Sequence, residues 1–327
     1  MTIRQTVQKA EAMALAGEAL PTETIIRLLE IDPNSEEAEL LGAAARLVAA
    51  KVTGNKAGIW ASIGVDYVPC PMNCRFCSFG EAWGTAEDAY TLTDDEVVNQ
   101  AKSFIESGAD WITLRTTEHY EFSNLIKLAQ RIRAEIPGNY KLVANTGEMN
   151  ELRTDELKKG GFNILYHAIR LKEGSDTPFS VAKRRKTLEN IRGSELDLAF
   201  LVEPVGVEHT NREIADVFEM AMEADARIFG AMARIPVKGT PLYELGLLDE
   251  RRLAQIVAVT RLAANFRAPD ICVHPASKTA LKWGANVVVV DIGAVPRAVG
   301  VSPTEWNGFD IPTARAWFKE AGFQQGC

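Results

Sequence analysis

Two hydrophobic rhythms divide this chain of 327 residues. The first 56 residues show helical periodicity over Lys9–Leu20, Thr22–Leu29 and Ser35–Lys51. Pro33 and Gly54 punctuate these stretches, so residues 1–56 read as an N-terminal helical cap. From Ile59 onward, short apolar runs of strand length alternate with helical stretches. The runs are Ile59–Val68, Trp111–Leu114, Lys141–Ala144, Asn163–Ile169, Leu196–Val202, Arg227–Ala233, Ile271–His274 and Asn286–Asp291. The helical stretches begin with the capping box Thr93-Asp94-Asp95-Glu96, whose helix runs to Ser107. They continue as Phe122–Ile136, Thr154–Lys159, Ala182–Ile191, Glu213–Ala224, Asp249–Phe266 and Thr279–Trp283. Four consecutive valines, Val287 to Val290, suit a strand buried on both faces. Eight βα units predict an α/β fold, a (β/α)8 TIM-type barrel over residues 57–300. Residues 301–327 form a tail with one more helix, Thr313–Ala321, expected to pack on the barrel.

At 46% hydrophobic and 24% charged residues, the composition is that of an ordinary globular protein. A net charge of −8 argues against a nucleic-acid partner. No run of uncharged apolar residues is long enough to span a membrane. The start, Met1-Thr2-Ile3-Arg4-Gln5-Thr6, has no apolar signal segment. The expected location is the cytoplasm, with no membrane partner.

Three of the five cysteines fall in one short loop, Cys70-Pro71-Met72-Asn73-Cys74-Arg75-Phe76-Cys77. Three thiolates on a tight loop can hold three irons of a [4Fe–4S] cluster and leave the fourth open. A structural zinc site wants four closed ligands, and neither His119 nor Cys272 stands at zinc-finger spacing. A disulfide reading needs an oxidising compartment.

The C-x3-C-x2-C spacing, with Phe76 before Cys77, resembles the cluster loop of the radical S-adenosylmethionine (SAM) enzymes. Its place after the first of eight βα strands, behind a helical cap, resembles the biotin-synthase-like group of that family. The resemblance implies a [4Fe–4S] cluster on Cys70, Cys74 and Cys77, with SAM on the open iron. It also implies an electron donor such as ferredoxin or flavodoxin. Within the group the chain resembles the [FeFe]-hydrogenase maturase and methylornithine synthase more than biotin synthase. Gly239-Thr240-Pro241-Leu242 and Gly284-Ala285-Asn286-Val287 look like those two enzymes. Biotin synthase carries cysteines for a second cluster where this chain has Thr113/Leu114, Asn145/Thr146 and Phe200/Leu201. Only Cys272 and Cys327 remain outside the loop, the first readable as a buried strand residue and the second as a terminal one.

The same resemblance suggests SAM-binding residues. Thr116-Thr117-Glu118 resembles the element that grips the SAM amino group, so Glu118 is a candidate; an acid at a helix start is the alternative. Glu173 is the nearest acid to the position that binds the ribose. Val205-Gly206-Val207-Glu208 resembles a Gly-x-x-Glu segment near the adenine, which nominates Val205 and Glu208. In the basic run Lys183-Arg184-Arg185-Lys186, Arg185 stands at the spacing from Gly206 of an arginine that pairs with the SAM carboxylate. A solvated face is the other reading of that run.

Residues at or just past barrel strand ends are candidates by position for the substrate pocket. These are Asn145, Glu148, His167, Arg170, Glu203, Arg234, His274 and Lys278. Alternation places Tyr166, Ala168 and Arg170 on one face, with His167 and Ile169 on the other. Such a set suits a small polar substrate, an amino acid or other carboxylate. The expected chemistry is hydrogen abstraction leading to rearrangement, fragmentation or a step in cofactor or amino-acid synthesis. Sulfur insertion and a non-catalytic iron–sulfur scaffold are the alternatives.

Overall fold

A computed structural model describes residues 2–86, 89–292 and 309–324. The chain opens with three helices, α1 (Ile3–Leu15), α2 (Thr22–Leu29) and α3 (Glu36–Thr53). The first starts earlier than the apolar pattern suggests, because Thr2 and Gln5 form a capping box. The barrel strands follow as β1 (Gly58–Gly64), β2 (Trp111–Arg115), β3 (Lys141–Asn145) and β4 (Ile164–Tyr166). Strand β5 comes in two pieces, Asp197–Ala199 and Val202–Val205; β6 (Ile228–Ala233), β7 (Asp270–His274) and β8 (Val287–Ile292) complete the set. All neighbours are parallel, and β8 pairs with β1 and β7, so the barrel closes.

Between the strands lie α4 (Asp94–Glu106), α5 (Phe122–Glu135), α6 (Glu151–Lys159) and α7 (Val181–Arg192). Then come α8 (Asn211–Glu223), α9 (Glu250–Ala264), α10 (Lys278–Lys282) and, after the barrel, α11 (Ile311–Glu320). Side-chain caps start most of them: Thr93 with Glu96 at α4, Ser180 at α7, and Thr210 with Glu213 at α8.

Strand alternation sorts the side chains. Ile59, Ala61 and Ile63, like Ile112 and Leu114 or Val288 and Val290, face outward into the shell beneath the helices. The same apolar shell takes in Val7, Leu28 and Leu41 of the first three helices, so the cap shares the barrel's core. The opposite faces fill the barrel. Trp60, Val143, Ile164, Ala199, Leu201, Ile228, Cys272 and Val287 form a dry plug there. Cys272 is therefore a buried interior thiol, pushed well above its ordinary pKa by burial.

Two departures from the sequence pattern matter. The first apolar run does not reach the cysteine loop as one strand. It stops at Gly64, and Asp66–Tyr67 pairs antiparallel with Tyr90–Thr91 as a separate ribbon at the foot of the loop. The fourth strand ends at Tyr166, three residues short of its apolar run; His167 N–H still donates to Ala199 O at 3.0 Å, and residues 167–170 continue without regular structure. The division expected at residue 300, and Cys327, lie outside the described residues.

Candidate active site

At the C-terminal end of the barrel the inward positions turn polar. Ser62, Thr113, Arg115, Asn145, Tyr166, Glu203, Arg234, His274 and Asp291 line one cavity of about 340 Å³. Cys70, Cys74, Phe76 and Cys77 roof it, joined by Glu118, Arg170 and Phe179. The plug is its floor, with Trp60 edge-on to Tyr166 at 6.1 Å between ring centroids.

The cysteine loop is held by its own backbone. Cys70 N–H donates to Phe79 O at 2.6 Å, and Cys77 N–H to Cys74 O at 2.9 Å. Asn73, at φ 47°, accepts from Ala82 N–H at 2.9 Å. All three thiols are free and partly exposed. Burial pushes Cys74 up to about 12 and raises Cys70 and Cys77 as well. Left alone, such thiols stay protonated; binding to iron is what makes thiolates of them. Among the described residues no compact group of His, Cys, Asp or Glu suits a single metal ion. Three separate thiols facing one cavity are a donor set suited to a cuboidal cluster.

Beside the loop lies a buried charge network. Arg184 Nε sits 3.3 Å from Glu148 Oε1 and 3.4 Å from Glu173 Oε2. Thr187 donates to Glu148 at 2.6 Å, and Thr177 also donates to Glu173. Arg184 NH1 reaches His167 Nδ1 at 3.3 Å, which leaves the proton on Nε2, 3.5 Å from Glu148. Burial, and next the two arginines nearby, hold His167 well below its ordinary value, so it is neutral. Arg170 lies 3.3 Å from Glu203, which also accepts from the Tyr166 hydroxyl. Burial works against charge on Arg170, but Glu203 and Glu173 outweigh it and raise its pKa. Burial raises Glu203 despite Arg170, and raises Tyr166 well above the usual phenol value. Arg234 makes two bonds to Glu208, one through NH2 at 3.0 Å.

The cavity thus gathers Cys70, Cys74, Cys77, Phe76, Glu118, Asn145, Arg170, Glu203, Arg234 and His274. Glu148, His167, Glu173 and Glu208 stand behind these residues as partners, and Val205 is buried in β5. Two expectations fail on geometry. Arg185 is exposed, its guanidinium 3.3 Å from the Met220 sulfur on the outer face of α7. Lys278 is exposed on α10, paired with Glu320 of α11 at 2.9 Å and stacked over Trp317.

The sequence reading missed Arg184, adjacent to Arg185. Its signal was the buried stripe Arg184, Thr187, Leu188 and Ile191, which puts one cation of the basic run inward. It also passed over Arg115 and Asp291, which strict alternation from Thr113 and Val289 turns inward.

The sequence profile of the Radical SAM superfamily matches residues 67–232. That span covers half of the chain and holds the three loop cysteines, Glu118, Glu173, Arg184 and Glu203, and the chain belongs to this superfamily. Similar curated proteins include the biotin synthase of Chlorobaculum tepidum, 26% identical over 94% of this chain and 95% of that one. The biotin synthase of Clostridioides difficile is 22% identical over 97% of this chain and 98% of its own. In fold the chain is similar to methylornithine synthase, with a TM-score of 0.80 and 17% identity over 97% of both chains. It is equally similar to the FeFe-hydrogenase maturase HydG from Carboxydothermus hydrogenoformans, at 0.80 and 15% identity over 98% of this chain and 79% of that one. Enzymes of the superfamily use a [4Fe–4S] cluster and SAM, and this chain is such an enzyme. Among the described residues no helix is long and apolar enough to cross a membrane.

Proposed function

We propose that this enzyme holds one [4Fe–4S] cluster on Cys70, Cys74 and Cys77 and abstracts hydrogen from a small, carboxylate-bearing metabolite. The observation that carries the reading is the union of all three thiols with Arg170, Glu203 and Arg234 in one cavity. In this reading Glu118, which lines the cavity, accepts from the SAM ammonium, and Arg184, buried behind the lining between Glu148 and Glu173, supplies the positive charge for its carboxylate. Cys70, Cys74 and Cys77 would hold the cluster, which when bound would supply the electron for reductive cleavage of SAM. The protein's own part is containment and orientation. The apolar floor from Trp60 to Val287 excludes water from below, and Glu203 and Glu208 fix Arg170 and Arg234 so that they face a ligand without rearranging.

A carboxylate or zwitterion would satisfy this ring of paired charges, whereas an apolar substrate would leave polar groups desolvated. Rearrangement or fragmentation suits the site better than sulfur insertion. Thr113, Asn145 and Leu201 line the cavity, and none offers a thiol for a second cluster. The reducing cytoplasm is the compartment that keeps three such thiols unbridged. Anaerobic reconstitution tests the reading. The chain should take up about four irons, lose them when any loop cysteine becomes alanine, and release 5′-deoxyadenosine with dithionite. A reproducible six to eight irons, or intact SAM after reduction, would overturn it.

A further inference from the structure

The basic run at the start of α7 contributes only Arg184 to the site. Lys183, Arg185 and Lys186 face solvent, as does Lys172 on the loop before them. The acids of the same stretch are turned inward. Glu173 keeps 1% of its side chain accessible and sits against Arg184; Asp176 keeps 6% and pairs with Arg75. From Leu171 to Leu188, therefore, every exposed charge is positive, on a chain whose net charge is −8. Glu189 is the first exposed acid after the run, and it reaches Lys186 at 3.2 Å.

Folding gives no reason for this placement. A helix N-terminus carries partial positive charge, so cations there oppose the dipole. The first turn of α7 holds no acid to offset them. Position does give a reason. Arg75, between Cys74 and Cys77, donates its backbone N–H to Asp176 O at 2.9 Å and pairs with the Asp176 carboxylate at 2.8 Å. Phe179, just ahead of α7, lines the same cavity as the cysteines. The cationic surface thus borders the cysteine loop, and half-exposed Arg75 extends it.

We propose that Lys172, Lys183, Arg185 and Lys186 form the docking surface for an acidic one-electron carrier protein that reduces the cluster. This rests on the cluster assignment made above. One electron leaves the carrier and enters the cluster; no atom is transferred. Opposite charge on the two faces steers encounter and aligns the carrier with the cysteine loop.

The test uses the reconstituted enzyme and a reduced acidic flavodoxin, with photoreduced deazaflavin as the small reductant. Cluster reduction is followed by anaerobic stopped-flow absorbance. Binding of oxidised flavodoxin is measured by calorimetry. At low ionic strength, Lys183→Glu/Arg185→Glu/Lys186→Glu should lower the flavodoxin rate constant and affinity by about tenfold or more. The gap should close as salt shortens the Debye length from roughly 30 Å at 0.01 M to about 3 Å at 1 M. Deazaflavin should reduce both proteins equally, and Lys9→Glu/Lys51→Glu on α1 and α3 should change nothing. Unchanged flavodoxin kinetics and affinity in the triple variant would overturn the proposal. So would equal slowing with both reductants, which places the effect in the cluster's surroundings. Failure to assemble any cluster would defeat the cluster assignment instead, and calorimetry on the cluster-free chain would still decide docking.

Discussion

Arg184, buried on α7, pairs with half-buried Glu148 on the loop after β3, with Nε 3.3 Å from Oε1. Glu173 stands on the same guanidinium nitrogen at 3.4 Å, and neutral His167 closes the network. Burial raises the pKa of Glu118, and the positive charge of Arg184 acts against that rise. We propose that these two groups of opposite charge receive the zwitterionic end of SAM.

Removing that guanidinium separates the two neighbouring arginines. Arg184→Ala should weaken equilibrium binding of SAM roughly tenfold or more, with the iron content intact, through loss of a charge-assisted bond worth about 1.5–3 kcal/mol. It should also cost about 3–5 kcal/mol of stability in urea denaturation, because Glu148 and Glu173 are left without their partner. Arg185→Ala should change both by less than about 0.5 kcal/mol. Equal effects from the two substitutions would contradict the assignment.

His167 gives stability a pH signature. Its native pKa lies well below the ordinary 6.5. Below that ordinary value the unfolded chain binds a proton that the native chain refuses. Stability is therefore full above about pH 6.5 and falls below it, by about 1.4 kcal/mol per pH unit for this group. His209, also lowered by burial, adds in the same direction. Denaturation curves between pH 7.5 and 5.5 should show the fall, and His167→Asn should flatten it. A variant with the wild-type slope would show that His167 titrates normally.

The seam between β6 and β7 depends on one glycine. Gly230 has φ +138°, and a Cβ there would lie 1.9 Å from the Cys272 carbonyl oxygen. Gly230→Ala should cost about 3 kcal/mol or more, since backbone rather than a movable side chain must yield. The shift of the urea midpoint measures it. A change under about 1 kcal/mol would mean the strands separate more easily than their pairing implies.

Substrate charge is read at Arg234. Metabolites with a free carboxylate should accelerate 5′-deoxyadenosine release more than their amides. Arg234→Ala should raise KM for the carboxylate form by roughly 10- to 150-fold, the loss of one charge-assisted contact of about 1.5–3 kcal/mol. Iron content and uncoupled SAM cleavage should not move. Equal preference for acid and amide in the wild type would rule out carboxylate recognition.

The sequence by itself determined the barrel and its cluster loop. Short apolar runs of strand length separated by helical stretches encode eight βα units directly, because each run and each helical period is a local pattern. The cysteine spacing is likewise local: three ligands of one cluster lie on one turn of chain. Position after a strand was enough to bring Glu118, Asn145, Arg170, Glu203, Arg234 and His274 to the cavity. What only the tertiary structure decided is rotation about elements and pairing across them. Arg184 and Arg185 are adjacent and chemically alike, yet about 100° of helical turn puts one against Glu148 and the other in solvent. Lys278 follows a strand as His274 does, but α10 carries it outward to Glu320, a partner 42 residues away. Glu173, Glu148 and His167 meet Arg184 from two different strand ends, and no local pattern records that meeting. Burial of charge depends on such distant partners, and for that reason it was legible only once the chain was folded.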